Sequence, residues 1–309
     1  MSVGVQAPYP QLGSAGATKF VPEIWSGKIL VKFYQSTCLT EVTNSDWEGE
    51  VKQVGDKVWI RVVPDVTIRD YLKGQTLTTE TPTSAPVQLV VDKAKYFAVV
   101  VDDIDKAQAD VKLMDMYTSD ASQKMKITIE RQVFGAVYAD VPVANKGTAA
   151  GKESGSINLG TEASPVSVTA SNAVDKLLDA GNVLDEQDVP REGRFAIIPP
   201  WYARHLKASD LKDASLTGDA TSPLRNGRIG RIDDMTVFVS NNLAKITASG
   251  NKWHVLIGTR DAISWAAQLT EVETLRAQTT FGWILRGLNV YGFKVTKGEA
   301  LVDLVVSRG

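Results

Sequence analysis

The apolar positions change their period along the chain, and each change marks an element. Met1 to Thr18 has no period and is rich in Gly, Ala, Pro and Ser, the composition of an arm that orders only against a partner. From Val21 the spacing of Ile24, Ile29, Leu30 and Phe33, with Trp25 beside them, predicts an amphipathic helix, with Pro22 tolerated in its first turn. Alternation takes over from Lys57 to Ile68, where Val58, Ile60 and Val62 share one face and Trp59, Arg61 and Val63 the other, until Pro64 interrupts the ladder. The returning run, Val87, Leu89 and Val91 and then Tyr96 to Val101, alternates likewise, and the threonines, prolines and single glycine of Tyr71 to Pro86 suit an exposed, extended tip. Such a two-stranded ribbon is marginal alone in water, so contacts from other copies are a natural source of its stability.

A helical period then replaces the alternation. From Ile104 to Tyr138 there is no proline, and Ile104, Ala107, Val111, Met114, Ala121, Met125, Ile129, Val133 and Val137 form one apolar stripe. At about 1.5 Å per residue this spine would run roughly 50 Å. The Gly- and Ser-rich segment from Asn145 to Ser164 is the expected internal boundary. Beyond it a helix is expected from Ser171 to Leu184 with Val174, Leu177, Leu178 and Leu184 on one face, then a buried strand, Arg194 to Ile198, ended by Pro199 and Pro200. Further strands are expected at Thr236 to Ser240, Trp253 to Gly258, Asn289 to Val295 and Leu301 to Val306, and a short helix at Asp261 to Gln268. Helices and strands come in blocks, which favours α+β over a doubly wound sheet.

Composition narrows the function. Among 309 residues, 43% are apolar and 23% charged, as in ordinary folded domains, and 34 basic residues against 36 acidic ones give a net charge of -2. No global positive excess drives nucleic-acid binding, although a container can surround DNA without gripping it. One cysteine, Cys38, excludes an internal disulfide, and no C-x-x-C pair suggests zinc. The amino terminus lacks an export signal, and no stretch approaches the roughly 20 apolar residues that span a bilayer.

The chemical candidates each have a plainer reading. Asp102, Asp103 and Asp105 lack the glycine and distal glutamate of a calcium loop, and capping a helix N-terminus explains them. His205 and His254 fall in different elements with no nucleophile motif nearby, and Cys38 reads as a small packed hydrophobe. Gly227 and Gly230 lack the Lys-Ser or Lys-Thr of a phosphate loop. Arg225, Arg228 and Arg231 form a basic cluster better suited to ion pairing across a subunit boundary than to DNA. Met114 and Met125 are core filling, whereas Trp25, Trp47 and Trp59 lie on peripheral elements and read as interface anchors.

The order of these elements, a polar-tipped ribbon feeding straight into a long helix, is joined by three phrases. They are F-V-P-E-I-W-S from Phe20, N-S-D-W-E-G-E-V-K-Q-V-G-D-K-V-W-I-R-V-V-P-D-V-T-I-R-D from Asn44, and N-G-R-I-G-R-I-D-D-M-T-V-F-V-S-N-N-L from Asn226. Together they resemble the major capsid proteins of tailed bacteriophages, which share the Hong Kong 97-type shell fold. The resemblance implies an N-terminal arm over residues 1–34 and an extended β-hairpin loop with the peripheral domain and its spine helix over 35–163. It further implies an axial domain over 164–271 and C-terminal strands over 272–309 that return to the peripheral domain.

By the same resemblance the chain self-assembles into hexamers and pentamers of an icosahedral shell around double-stranded DNA, which it encloses without sequence specificity. Its other expected partners are a separate scaffolding protein, a portal protein and, on some shells, a decoration protein. No catalytic residue, metal, cofactor or membrane is expected, and the place implied is the virion capsid after folding in the bacterial cytoplasm. Phe20, Trp25, Trp47, Trp59, Tyr71, Lys73, Arg225, Arg228 and Arg231 are the expected subunit-interface residues. Some relatives join subunits through a Lys to Asn cross-link; Lys73 lies near the loop tip, but no Asn and catalytic Glu match it. With the arm-like phrase beginning at Phe20, a fused scaffold has no room, hence the separate one. An encapsulin-like compartment and a small-molecule enzyme are the alternatives, the latter needing a concave polar site that the sequence does not advertise.

Overall fold

Arg194–Ile198, the most continuously apolar short run, forms strand β5 with all five residues buried, as a strand covered on both faces must be. The computed structural model describes residues 35, 37–47, 57–64, 66–83, 86–103, 113–209, 230–248 and 250–309. Before β5 come helix α1 (Leu39–Val42), strands β1 (Lys57–Ile60), β2 (Val87–Val90) and β3 (Lys93–Asp102), helix α2 (Leu113–Val137), β4 (Val166–Val168) and helix α3 (Ala173–Glu186). After it come helix α4 (Pro200–Ala208), β6 (Arg231–Ile232), β7 (Met235–Val239), β8 (Lys245–Ile246), β9 (Lys252–Thr259), β10 (Ile263–Arg276), β11 (Gly282–Val295) and β12 (Leu301–Arg308).

The larger sheet has the order β4-β12-β9-β5-β7-β6, with β8 also paired to β9. Different helices cover the two faces of β9: Trp253 packs on Trp201 of α4, while its neighbour His254 stacks on Tyr138 just beyond α2. A second sheet, β10-β11-β3, lies against α2, and β1 pairs with β2 in a short ribbon. The side of β3 that carries Lys95, Phe97 and Val99 meets Tyr117, Ala121 and Met125 of α2. Gly287 is required here, because a Cβ would stand 2.3 Å from the Phe97 ring that crosses it.

Several expectations change. The run from Lys57 to Ile68 keeps strand form only through Ile60, and its return splits: β2 pairs with β1, whereas β3 pairs with β11. Asp261 to Gln268 is not a helix but a 3₁₀ turn, Arg260–Ala262, leading into β10, because the long antiparallel ladder with β11, which begins at Ile263, outweighs the local preference. Asn145 to Ser164 is no linker. Ala150 and Leu159 are buried, and the fully buried Asn145 side chain donates to the Glu299 and Leu301 carbonyls at 2.8 and 3.0 Å. On α3, Leu178 points outward, and Ala173, Ala180, Gly181 and Val183 complete the buried face. Pro199 and Pro200 end β5 but also start α4, a helix that the sequence reading lacked, with proline preset for the first turn. Of the C-terminal strands, β11 does join β3, but β12 enters the larger sheet between β4 and β9 because its nearly unbroken apolar run needs cover on both faces.

Helix α2 is the described part of the expected spine, about 37 Å long at 1.5 Å per residue; residues 104–112 lie outside the described residues. Ile129, Val133 and Val137 are buried as the stripe predicts, and Phe134 joins them. Glu130 breaks the stripe yet is fully buried. One of its carboxylate oxygens accepts the Cys38 and Leu39 amides at 2.7 and 3.0 Å, satisfying the start of α1. The other accepts the Ser240 hydroxyl at 3.1 Å and the Asn242 side-chain amide at 2.8 Å, just after β7. Arg131 adds a bond from its Nε to Asn242 at 3.2 Å and one from its Nη2 to Gln35 at 2.7 Å.

A second buried charge holds α3. Arg194 is buried and donates to the Pro190 carbonyl at 3.0 Å, to the Val189 carbonyl and to Asp185 at 2.7 Å, so a cation closes the helix C-terminus. Burial alone would raise the Asp185 carboxyl, but Arg194 and Arg191 outweigh it and hold the group below its ordinary range.

Glu130→Gln keeps the shape but places an amide against two pairs of donors, so one pair must lose its acceptor. The variant should lose about 2–4 kcal/mol of subunit stability, measured by urea unfolding of the unassembled chain.

Candidate subunit-interface surfaces

Between β1 and β2 the chain makes a long excursion without strand pairing among the described residues. A single carboxylate ties its two legs: Glu80 accepts the Thr67 amide at 2.7 Å and pairs with Arg69 at 3.3 Å. At the tip the Gln75 amide donates to the Leu72 carbonyl at 2.9 Å, closing a turn over Lys73 and Gly74. Gly74 has φ +91°, the left-handed value that the third residue of a type II turn demands. This excursion buries almost nothing: Val63, Val66, Ile68, Tyr71, Leu72 and Leu77 are all exposed, Ile68 by 90%. Trp59 is exposed too, because Val58 and Ile60 on either side of it point into the small core under β1 and β2.

A second apolar surface lies on the three-stranded sheet, on the side away from α2. The register sets Tyr96 beside Leu288 and Val100 beside Ile284, with Leu275 next in line. Tyr96 is 79% exposed, and Val100, Leu275 and Leu288 are exposed as well. Between these rows Arg286 donates from Nε to Glu273 at 2.6 Å. At the end of the β10–β11 hairpin Phe281 is exposed, and Arg276 grips Asp103 through two bonds of 3.0 and 2.6 Å while lying over the Trp283 ring. Asp103, read from the sequence as a helix cap, is therefore a partner of Arg276.

The remaining sequence candidates separate. Trp47 is half-buried: it packs on the small core and its indole donates to Ser264 at 3.2 Å. Arg231 is exposed and donates to the Asp234 carbonyl at 3.1 Å, bracing the two-residue turn between β6 and β7, where Asp233 and Asp234 take positive φ of 48° and 60°. Phe20, Trp25, Arg225 and Arg228 lie outside the described residues, as do Asp105, Gly227 and the amphipathic segment from Val21 to Phe33.

The nucleophile candidates are occupied or inert. Burial, then the charges of Glu130 and Glu41, push the Cys38 thiol far above its ordinary value, so little thiolate forms. Burial, with Arg204 and Arg308 behind it, lowers His205. His254 does find an aspartate, Asp303, at 2.9 Å, and among the described residues its Nε2 hydrogen-bonds to no hydroxyl or thiol.

This arrangement of a stapled excursion, a long helix on a three-stranded sheet and a larger mixed sheet matches known proteins. Residues 85–304 match the model of the family described as phage capsid protein. The chain belongs to the phage capsid protein family. Among solved structures, one from Mycobacterium phage Che8 is 28% identical with a TM-score of 0.75, over 92% of this chain and 96% of that one. The capsid of cyanophage P-SCSP1u is 17% identical with a TM-score of 0.72, over 94% of each chain. The mature capsid of bacteriophage PhiM1 is 14% identical with a TM-score of 0.66, over 99% of each. No curated protein sequence matches.

The capsid protein thus has the α+β Hong Kong 97-type fold, is a tailed-phage major capsid protein, and resides in the virion capsid as copies assembled into a shell. Its family is a structural one, and the comparisons lend nothing to the encapsulin-like or enzymatic alternatives. The apolar sheet face around Tyr96 escaped the sequence reading. Its signal was present, since Ala94, Tyr96, Ala98 and Val100 alternate on the exposed side of β3.

Because Leu72 and Leu77 touch so little of their own chain, the double variant Leu72→Ser/Leu77→Ser of the capsid protein should unfold within about 0.5 kcal/mol of the parent. Urea unfolding of the unassembled subunit checks this.

Proposed function

We propose that this capsid protein forms the hexamers and pentamers of an icosahedral head and that its ribbon excursion clasps a neighbouring subunit. The observation that carries this reading is the excursion itself. It displays a row of apolar side chains with no cover of their own, on a backbone held open by Glu80 and the Gly74 turn. Exposed apolar area of that kind is retained where a partner buries it. A contact between two different patches on identical subunits propagates and closes into rings when the rotation allows.

In this reading residues 1–34 form the arm, and β1 to β3 with α2 carry the extended loop and the peripheral domain. Residues from about Ser164 through β9, with β12 returning to them, form the axial domain. Trp59, Tyr71 and Lys73 belong to the clasp, and Phe20, Trp25, Arg225, Arg228 and Arg231 serve contacts of the arm and the axial domain. The head encloses double-stranded DNA without reading its sequence, and the subunit performs no catalysis. A separate scaffolding protein selects one curvature, since similar bonding geometries do not choose among themselves. A portal protein occupies one vertex, and a decoration protein binds outside if the phage encodes one.

Replacing Tyr71 to Ala85 by a short Gly-Ser turn tests the clasp. The variant should fold, with circular dichroism like that of the parent, yet yield no closed shells by electron microscopy when co-expressed with the scaffolding protein. Normal particles from the variant would contradict the role given to the excursion.

A further inference from the structure

His254 is 2% exposed, and its ring lies 3.9 Å from that of Tyr138, where the chain leaves α2. Its Nδ1 faces both oxygens of the buried Asp303 at 3.0 and 2.9 Å, a bond that joins β9 to β12. Its Nε2 is buried and has no hydrogen-bond partner among the described residues. Glu162 Oε1 stands 3.7 Å from it, on a side chain that is 57% exposed. Glu162 sits within a turn in which the Thr161 amide donates to the Ser164 carbonyl and the Ser164 amide to the Thr161 hydroxyl, both at 3.0 Å.

Three lysines nearby have contacts of their own. Lys146 bridges to Asp303 through the backbone and donates its ammonium to the Ala139 carbonyl at 3.2 Å. Lys252, on the same strand as His254, donates to the Glu162 carbonyl. Lys245 lies over the Trp253 ring. With a neutral imidazole, the buried pair carries one net negative charge and an acceptor nitrogen that accepts nothing, both costly in a dry interior. Burial indeed pushes the Asp303 carboxyl up, against the opposing pull of His254 and Lys146. Adding a proton cancels the pair's charge and turns Nε2 into a donor aimed at Glu162. A small swing of that exposed side chain brings its oxygen within bonding reach.

We infer that Glu162, His254 and Asp303 form a proton-operated latch, which fastens the turn from Thr161 to Ser164 onto the larger sheet when the buried pair gains a proton. The sign follows from the protons bound: the closed form holds one more proton than the open form, so acid favours closure and alkali releases it. Because Tyr138 stacks on the same imidazole, the latch also joins the exit of α2 to this turn.

Hydrogen–deuterium exchange of the full-length chain, with exchange times scaled for intrinsic pH dependence, reads the latch directly. The peptide spanning Thr161 to Ser164 should exchange on the order of tenfold more slowly at about pH 5.5 than at about pH 8, the size expected of one charge-assisted bond. Glu162→Ala, an exposed change that leaves the buried pair intact, should abolish that difference. Glu153→Ala, in the same loop but with its side chain in no described contact, should preserve it. Equal exchange at both pH values in the parent, or a difference that survives Glu162→Ala, would overturn the proposal.

Discussion

The buried carboxylate of Glu130 sets how the parts of this subunit stand relative to one another. It receives the first amides of α1, the Ser240 hydroxyl and the Asn242 side-chain amide, so α1, the long helix and the end of a larger-sheet strand converge on one charge. An ionised group in a core is tolerated only when its oxygens are fully engaged, so these elements must meet in this one geometry. From that junction α1 leads on to Asn44, which exchanges backbone bonds of 2.8 Å with Ile263 and Trp265 at the start of β10. These few hydrogen bonds tie the segment from Cys38 to Asn44 both to the long helix and to the start of β10.

A subunit that must join several neighbours divides its apolar residues between two uses. The principal core draws continuously on α1, the second half of α2, α3, α4 and the strands of the larger sheet, enough for the body to stand as one unit. The excursion and the outer face of β3, β10 and β11 keep apolar side chains that contribute nothing to that core. In a lone chain this is unfavourable exposure, whereas in a shell each such surface is one of many modest contacts whose combined effect holds every copy. The charges in these regions, Arg69 with Glu80, Arg286 with Glu273 and Arg276 with Asp103, keep the surfaces soluble and in shape while adding little stability individually.

Elements with a strong, uninterrupted period were legible in the sequence. The alternation of Val58 and Ile60 against Trp59, the stripe of Ile129, Val133 and Val137, and the apolar run of β5 all carry their burial in their spacing. What escaped depends on partners distant in the chain. Glu130 looks like a solvated residue on a helix until Cys38 and Asn242 arrive to meet it. The stretch from Asn145 to Ser164 has the composition of a linker, yet Asn145 satisfies carbonyls more than a hundred and fifty positions away. From Ile263 onward the spacing fits a helix as well as a strand, and only the β11 ladder decides between them. The packing of Trp47 is hidden for the same reason, since its partner Ser264 lies in the far half of the chain.

The account stands on the claim that the excursion is built for a neighbouring subunit. A high-resolution structure of the assembled shell by electron cryomicroscopy tests it most directly. The account predicts that Val63, Ile68, Tyr71, Leu72 and Leu77 lose most of their solvent exposure against a second copy, with the Glu80 bridge and the Gly74 turn preserved. Finding those side chains still in solvent within a closed shell, or folded back onto their own subunit, would contradict it.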